Sequence, residues 1–127
     1  MKPQFLGMLL VLVCSTAHAD WIRAGSDDMA SIYVDPVTRQ RKASLVKMWV
    51  LVDYQKPRQL GSGSVGSKES HKEFDCKTAQ QRALYTATFS GRKGDGKLVD
   101  VNTMIEKWMP IIPGSLEAEE LKYACQR

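Results

Sequence analysis

Three cysteines, at positions 14, 76 and 125, constrain this chain more than any other feature. Cys14 falls inside an N-terminal segment built like an export signal. Lys2 gives it a positive start, Phe5 to Val13 is a short apolar run, and Ala17-His18-Ala19 fits the small-x-small pattern for cleavage before Asp20. Removal of that segment leaves Cys76 with Cys125 as its one partner. Exported chains meet an oxidising envelope, so these two are expected to bond. The bond would close a loop over nearly half of the mature chain. On the loop-entropy model such a closure stabilises by about 4 kcal/mol, and everything between the two sulfurs must fold back on itself.

Residues 1–19 are therefore expected to be a signal peptide and residues 20–127 a single domain. A rival reading makes Cys14 a lipidated N-terminus, but Val11-Leu12-Val13 puts a bulky valine where a small residue is wanted; cleavage after Ala19 fits better. The apolar run is too short to span a bilayer as a helix, and no later stretch is long and apolar enough. The 108 mature residues suit one modest core that gains from a covalent staple. Without Lys2 the chain carries 17 basic and 14 acidic residues, a net charge of +3. So mild a surplus, on an exported protein, argues against nucleic acid as a partner.

Alternation at period two marks most of the mature chain as strand. Trp21 to Ala24 reads as an edge strand, and Ala30 to Asp35 places Ala30, Ile32 and Val34 on one face before a turn at Asp35-Pro36. Ser44 to Tyr54 is the strongest strand, with Val46, Met48, Val50, Val52 and Tyr54 on one face and Trp49 and Leu51 on the other; it belongs at the sheet centre. Gln55 to Glu69 turns polar, with Gly61-Ser62-Gly63-Ser64 inside it, and is expected to be a disordered loop. Lys68 to Cys76 resumes an extended pattern. Arg82 to Ser90 places Ala83, Tyr85, Ala87 and Phe89 together towards the core, and a glycine-bounded turn at Gly91 to Gly96 leads to a returning strand, Leu98 to Val101. Trp108 to Pro113 is a proline-broken apolar connector. Ser115 then fits a helix N-cap, with Glu117, Glu119 and Glu120 in the first turns and Leu121, Ala124 and Cys125 on one face. The expectation is α+β: an antiparallel sheet of five to six strands, with one C-terminal helix tethered to it by the Cys76–Cys125 disulfide.

Catalytic chemistry is thin. His71 lies beside Ser70, with Asp75 four residues on, but neighbours on a strand point to opposite faces and no G-x-S-x-G elbow is present. A metal site would want more ligands than His71, the one histidine outside the signal segment, can anchor. Asp27-Asp28 lacks the regular ligand spacing of a calcium loop and suits a turn. No catalytic residue, metal or cofactor is expected. The ten aromatics, Trp21, Trp49 and Trp108 among them, read as core packing.

The order Trp21, Tyr33-Val34-Asp35, the Trp49 strand, Asp75-Cys76, Trp108, Pro113-Gly114-Ser115 and Cys125 resembles the surface-adhesin protein E family, exported proteins of Gram-negative bacteria. The likeness spans the whole mature chain. It implies the same sheet with a fastened C-terminal helix, and a non-enzymatic adhesin-like role that contacts host matrix or plasma proteins at the cell surface. The residues that carry it are framework residues, none a ligand contact. Candidate partner-binding positions are the basic turns, Arg39, Arg41 and Lys42, and Arg92, Lys93 and Lys97, together with the Gln55 to Glu69 stretch. The competing expectation is a soluble periplasmic accessory module that pairs with itself, as a homodimer, or with a partner strand through an open sheet edge.

Overall fold

A computed structural model of the chain describes residues 20–61 and 63–126, with 3, 7 and 9–11. The expected cleavage site at Ala19 and Cys14 lie outside the described residues. Seven strands and one helix follow in order: β1 (Ile22–Ser26), β2 (Ala30–Lys42), β3 (Leu45–Leu60), β4 (Gly63–Asp75), β5 (Gln80–Phe89), β6 (Leu98–Asn102), β7 (Met109–Pro110) and α1 (Leu116–Cys125). Strands β1 to β6 lie in sequence order in one antiparallel sheet, and short β7 pairs with the start of β5. Neighbours in sequence are neighbours in space because each connection is a short turn.

The helix lies across one face of β1 to β4. Its Ala118, Leu121, Ala124 and Cys125 pack on Val34, Val46, Met48, Val50 and Phe74, and Ile111 closes the side. Full burial of such side chains stabilises by about 1.5 to 3 kcal/mol each, so this layer carries most of the fold. The Cys76–Cys125 bond joins the β4 end to the last helical turn. At the other end Ser115 caps the helix, its hydroxyl accepting from the Ala118 amide, as expected.

Three expectations are corrected. The Gln55 to Glu69 stretch is not a disordered loop. Leu60 pairs with Gly63, Gln59 with Ser64 and Arg58 with Val65, so β3 and β4 run on as a paired hairpin. The inter-strand ladder satisfies the backbone there, whatever the polar composition, and Pro57 falls in the register break between Asp53 and Arg58, where no donor is needed. The chain does not reverse at Asp35-Pro36 either. That is a bulge in β2, spanned by Thr38, whose hydroxyl donates to the Asp35 carbonyl and accepts from the Trp49 amide. The reversal comes at Ala43-Ser44, so Arg39, Arg41 and Lys42 lie on a strand.

The third correction matters most. His71 pairs with Tyr85 but Lys72 with Ala83, so Leu84 is an extra residue on β5. A bulge of one residue moves every later side chain to the opposite face. Ala83 therefore lies on the helix face, with Lys72. Tyr85, Ala87 and Phe89 lie on the other, across from His71, Glu69 and Ser67.

Candidate functional site

The face away from the helix is ordered in rows by strand register. Trp49, His71 and Tyr85 form one row across β3, β4 and β5; Leu51, Glu69 and Ala87 form the next; Asp53, Ser67 and Phe89 the third. Trp49 stacks on His71 with ring centres 4.9 Å apart, and meets Tyr85 edge-on at 5.7 Å. Burial, with Lys47 close by and only Glu73 opposing, holds the His71 pKa below its ordinary value.

The third row is closed over by the β5–β6 turn. Arg92 reaches the fully buried Asp53 at 2.8 Å, and the Lys93 amide donates to the same carboxylate. Ser67 donates to the Gly91 carbonyl and accepts from the Gly94 amide. Between this turn and the Trp49 row lies an open trough of about 610 Å³, lined by Trp49, Glu69, Tyr85, Ala87, Phe89 and Leu98.

Glu69 is its one charged group. Burial alone pushes its pKa up. The ion pairs among the described residues go to Glu120, Glu73, Asp53 and Glu119, none to Glu69. Gly94, at φ +78°, passes so close that a β-carbon there would stand 2.6 Å from the Glu69 Oε1. The left-handed φ favours glycine at that position.

The basic candidates divide. Arg39 donates to the carbonyls of Tyr123 and Gln126, and Arg41 to that of Cys125. They cap the open C-terminus of α1, where cations are favoured. Arg92 holds Asp53, and the Lys93 ammonium lies 5.0 Å over the Tyr33 ring. Lys42 and Lys97 are exposed, with no ion-pair partner among the described residues. The two groups sit at opposite ends of the sheet: the end of β2 lies beside Leu45, whereas the β5–β6 turn lies beside Asp53. What the fold does bring together is the β3–β4 hairpin with the β5–β6 turn, where Gly66 backs onto the Gly91 carbonyl, and with β6, where Gly63 backs onto Val99.

Ser70, His71 and Asp75 are not assembled. Ser70 shares a 3.0 Å hydrogen bond with Thr86, on the face opposite to His71. Asp75 accepts from the Lys77 and Thr78 amides of its own turn. Asp27 does the same for Met29 and Ala30, and no group of three metal-ligating side chains exists among the described residues. The helix face holds a carboxylate of another kind. Glu120 is buried, and desolvation raises its pKa against the opposing pull of Lys72, whose ammonium lies 2.8 Å away and also bonds Gln81.

Sequence reasoning missed the trough because its parts were dispersed. Glu69 was expected in a disordered loop, and Tyr85 and Phe89 on Ala83's face. The available signal was the heavy face of β3, where Trp49 and Leu51 interrupt the polar positions.

No curated protein sequence matches the chain. Among solved structures it resembles Haemophilus influenzae protein E, with TM-score 0.63 and 13% identity over 87% of this chain and 86% of that one. A second crystal form of that protein aligns with TM-score 0.64, again at 13% identity, over 87% and 90%. Protein E from a non-typeable strain gives 0.59 at 14%, over 87% and 79%. At such identity these likenesses speak to the fold. The family model described as surface-adhesin protein E matches residues 21–126, and the chain belongs to that family.

Proposed function

We propose that this chain is an exported, non-enzymatic adhesin-like protein that contacts host or matrix proteins at the bacterial surface, delivered there by a signal peptide at residues 1–19. Membership of the surface-adhesin protein E family over residues 21–126 is the observation that carries this reading. The shape of one end of the molecule supports it. The β3 arm of the β3–β4 hairpin has Gln55 to Leu60 all exposed, Lys56 and Arg58 among them, and Lys97 lies on the adjoining β5–β6 turn. A paired hairpin is a better contact arm than a flexible loop, because less entropy is lost on binding. No helix of the described residues is long and apolar enough to cross a membrane. Protease shaving of intact cells, with cell fractionation, tests the reading: the protein should be cleaved from outside. Protection of the protein within the periplasm would remove the adhesin role.

One observation favours a second reading, a periplasmic accessory module. Strand β6 is an open edge exposed along its whole length, with Leu98, Val99 and Val101 on it. Such an edge is a template for pairing with a second copy or a partner strand. Light scattering after size exclusion addresses self-pairing, which a strictly monomeric protein would exclude.

A further inference from the structure

We propose that the trough of Trp49, Glu69 and Tyr85 receives a basic side chain, an arginine or lysine, from a protein partner. The inference rests on the reading that this chain binds a protein, and it names the chemistry of one anchor point. Three observations converge on it.

The first is the position of Glu69. It occupies the middle of a row whose other members are Leu51, fully buried, and Ala87, nearly so. Rings of Trp49 and Tyr85 lie on one side, Phe89 and Leu98 on the other. A carboxylate in such surroundings loses hydration and, among the described residues, gains no counter-charge. Buried charge is tolerated when it is paired. On the same face Asp53 has Arg92 and Glu73 has Arg82, whereas buried Asp35, with its Oδ1 unpartnered, and Glu69 have no cation among the described residues. Of these two, Glu69 is the one that lines the open trough.

The second is the use of the other rings. Arg82 lies 4.4 Å over Trp108, Lys93 lies 5.0 Å over Tyr33, and Arg58 lies 5.3 Å over Tyr54. In each case a Lys or Arg of this chain covers an aromatic face, an arrangement that stabilises through the ring quadrupole. No cation of the described residues covers Trp49 or Tyr85.

The third is the shape. An open trough of about 610 Å³ with an apolar lining and a single acidic group suits a long side chain whose methylenes lie on rings and whose charge ends on a carboxylate. It suits a polar loop or an anionic group poorly. Its rim is Leu98 on β6, beside the β5–β6 turn that adjoins the hairpin arm, so a partner held by the arm can reach it.

The test uses the mature chain and N-acetyl-arginine methylamide as probe. Its binding is followed by NMR at the Trp49 indole N–H, a signal assigned by its loss in Trp49→Phe. A saturable shift is expected, weakened about tenfold by Glu69→Gln and absent with N-acetyl-norleucine methylamide, which keeps the stem and lacks the charge. Tyr85→Leu should weaken binding as well, and serves if Glu69→Gln does not fold. The inference is overturned if the indole signal stays still, if norleucine shifts it equally, or if both variants bind as the wild type does. Tighter binding of tetramethylammonium than of the arginine derivative would overturn it too, by assigning the trough to quaternary ammonium ligands. These outcomes are separate from protease shaving, which can fail while the probe still binds, and the reverse.

Discussion

Both faces of the sheet carry apolar side chains, and they are covered differently. On one, Val46, Met48, Val50 and Phe74 are sealed by α1, which is held by a disulfide, by Ser115 at its start and by Arg39 and Arg41 at its end. On the other, Trp49, Leu51, Tyr85, Ala87 and Phe89 are covered at one end only, by the β5–β6 turn. Glu120 on the helix face has Lys72 at 2.8 Å and buried Glu73 on the open face has Arg82, while half-buried Glu69 has no cation among the described residues. Charge neutralised from within is a structural device, and charge left without a partner in an apolar trough is available to a ligand. The helix face is built to hold together; the open face is built to receive.

The sharpest way to break that contrast is to release the helix. Cys76→Ser with Cys125→Ser should cost about 4 kcal/mol, since the closed loop spans 49 residues. Urea unfolding reads the loss, while arginine binding at the trough of the remaining folded protein stays as it was. Next in size, Glu120→Ala should cost about 3 kcal/mol, because it empties a fully buried position and leaves the half-buried Lys72 ammonium without its counter-charge. Adding Lys72→Met should recover much of that loss, and a double-mutant cycle measures how much.

Glu69→Gln should act in the opposite direction. Removing a desolvated, unpaired charge leaves stability unchanged or slightly raised, by less than about 1 kcal/mol, and thermal unfolding checks it. A clear destabilisation would mean that Glu69 is a framework residue and would erase the difference between the faces.

The smallest effect concerns pH. Burial lowers the His71 pKa in the fold, whereas the unfolded chain titrates near its ordinary value of about 6.5. Between the two, the unfolded state binds more protons, so stability rises with pH through that window. His71→Gln should flatten this slope in denaturation curves taken from pH 5 to 7.5.

Much of the architecture was legible in order along the chain. Alternation in β3 and β4, the Ser115 cap and the cysteine count led to the sheet, the helix and the bond. The trough was not. Leu84 looks like any other residue of an alternating strand, and its bulge is visible only when β5 is laid against β4. Arg39 and Arg41 looked like a free basic patch because the carbonyls that they cap belong to residues more than eighty positions away. The Gly-Ser stretch looked disordered because composition reports local preference, while its order comes from pairing between two strands.

By itself, then, the sequence determined which segments alternate, which serine starts the helix and which sulfurs join, since these follow from periods and counts along one chain. Only the tertiary structure decided which face each side chain joined and which charges found partners. Register is a relation between strands, and one extra residue in β5 was enough to place Tyr85 and Phe89 beside Glu69.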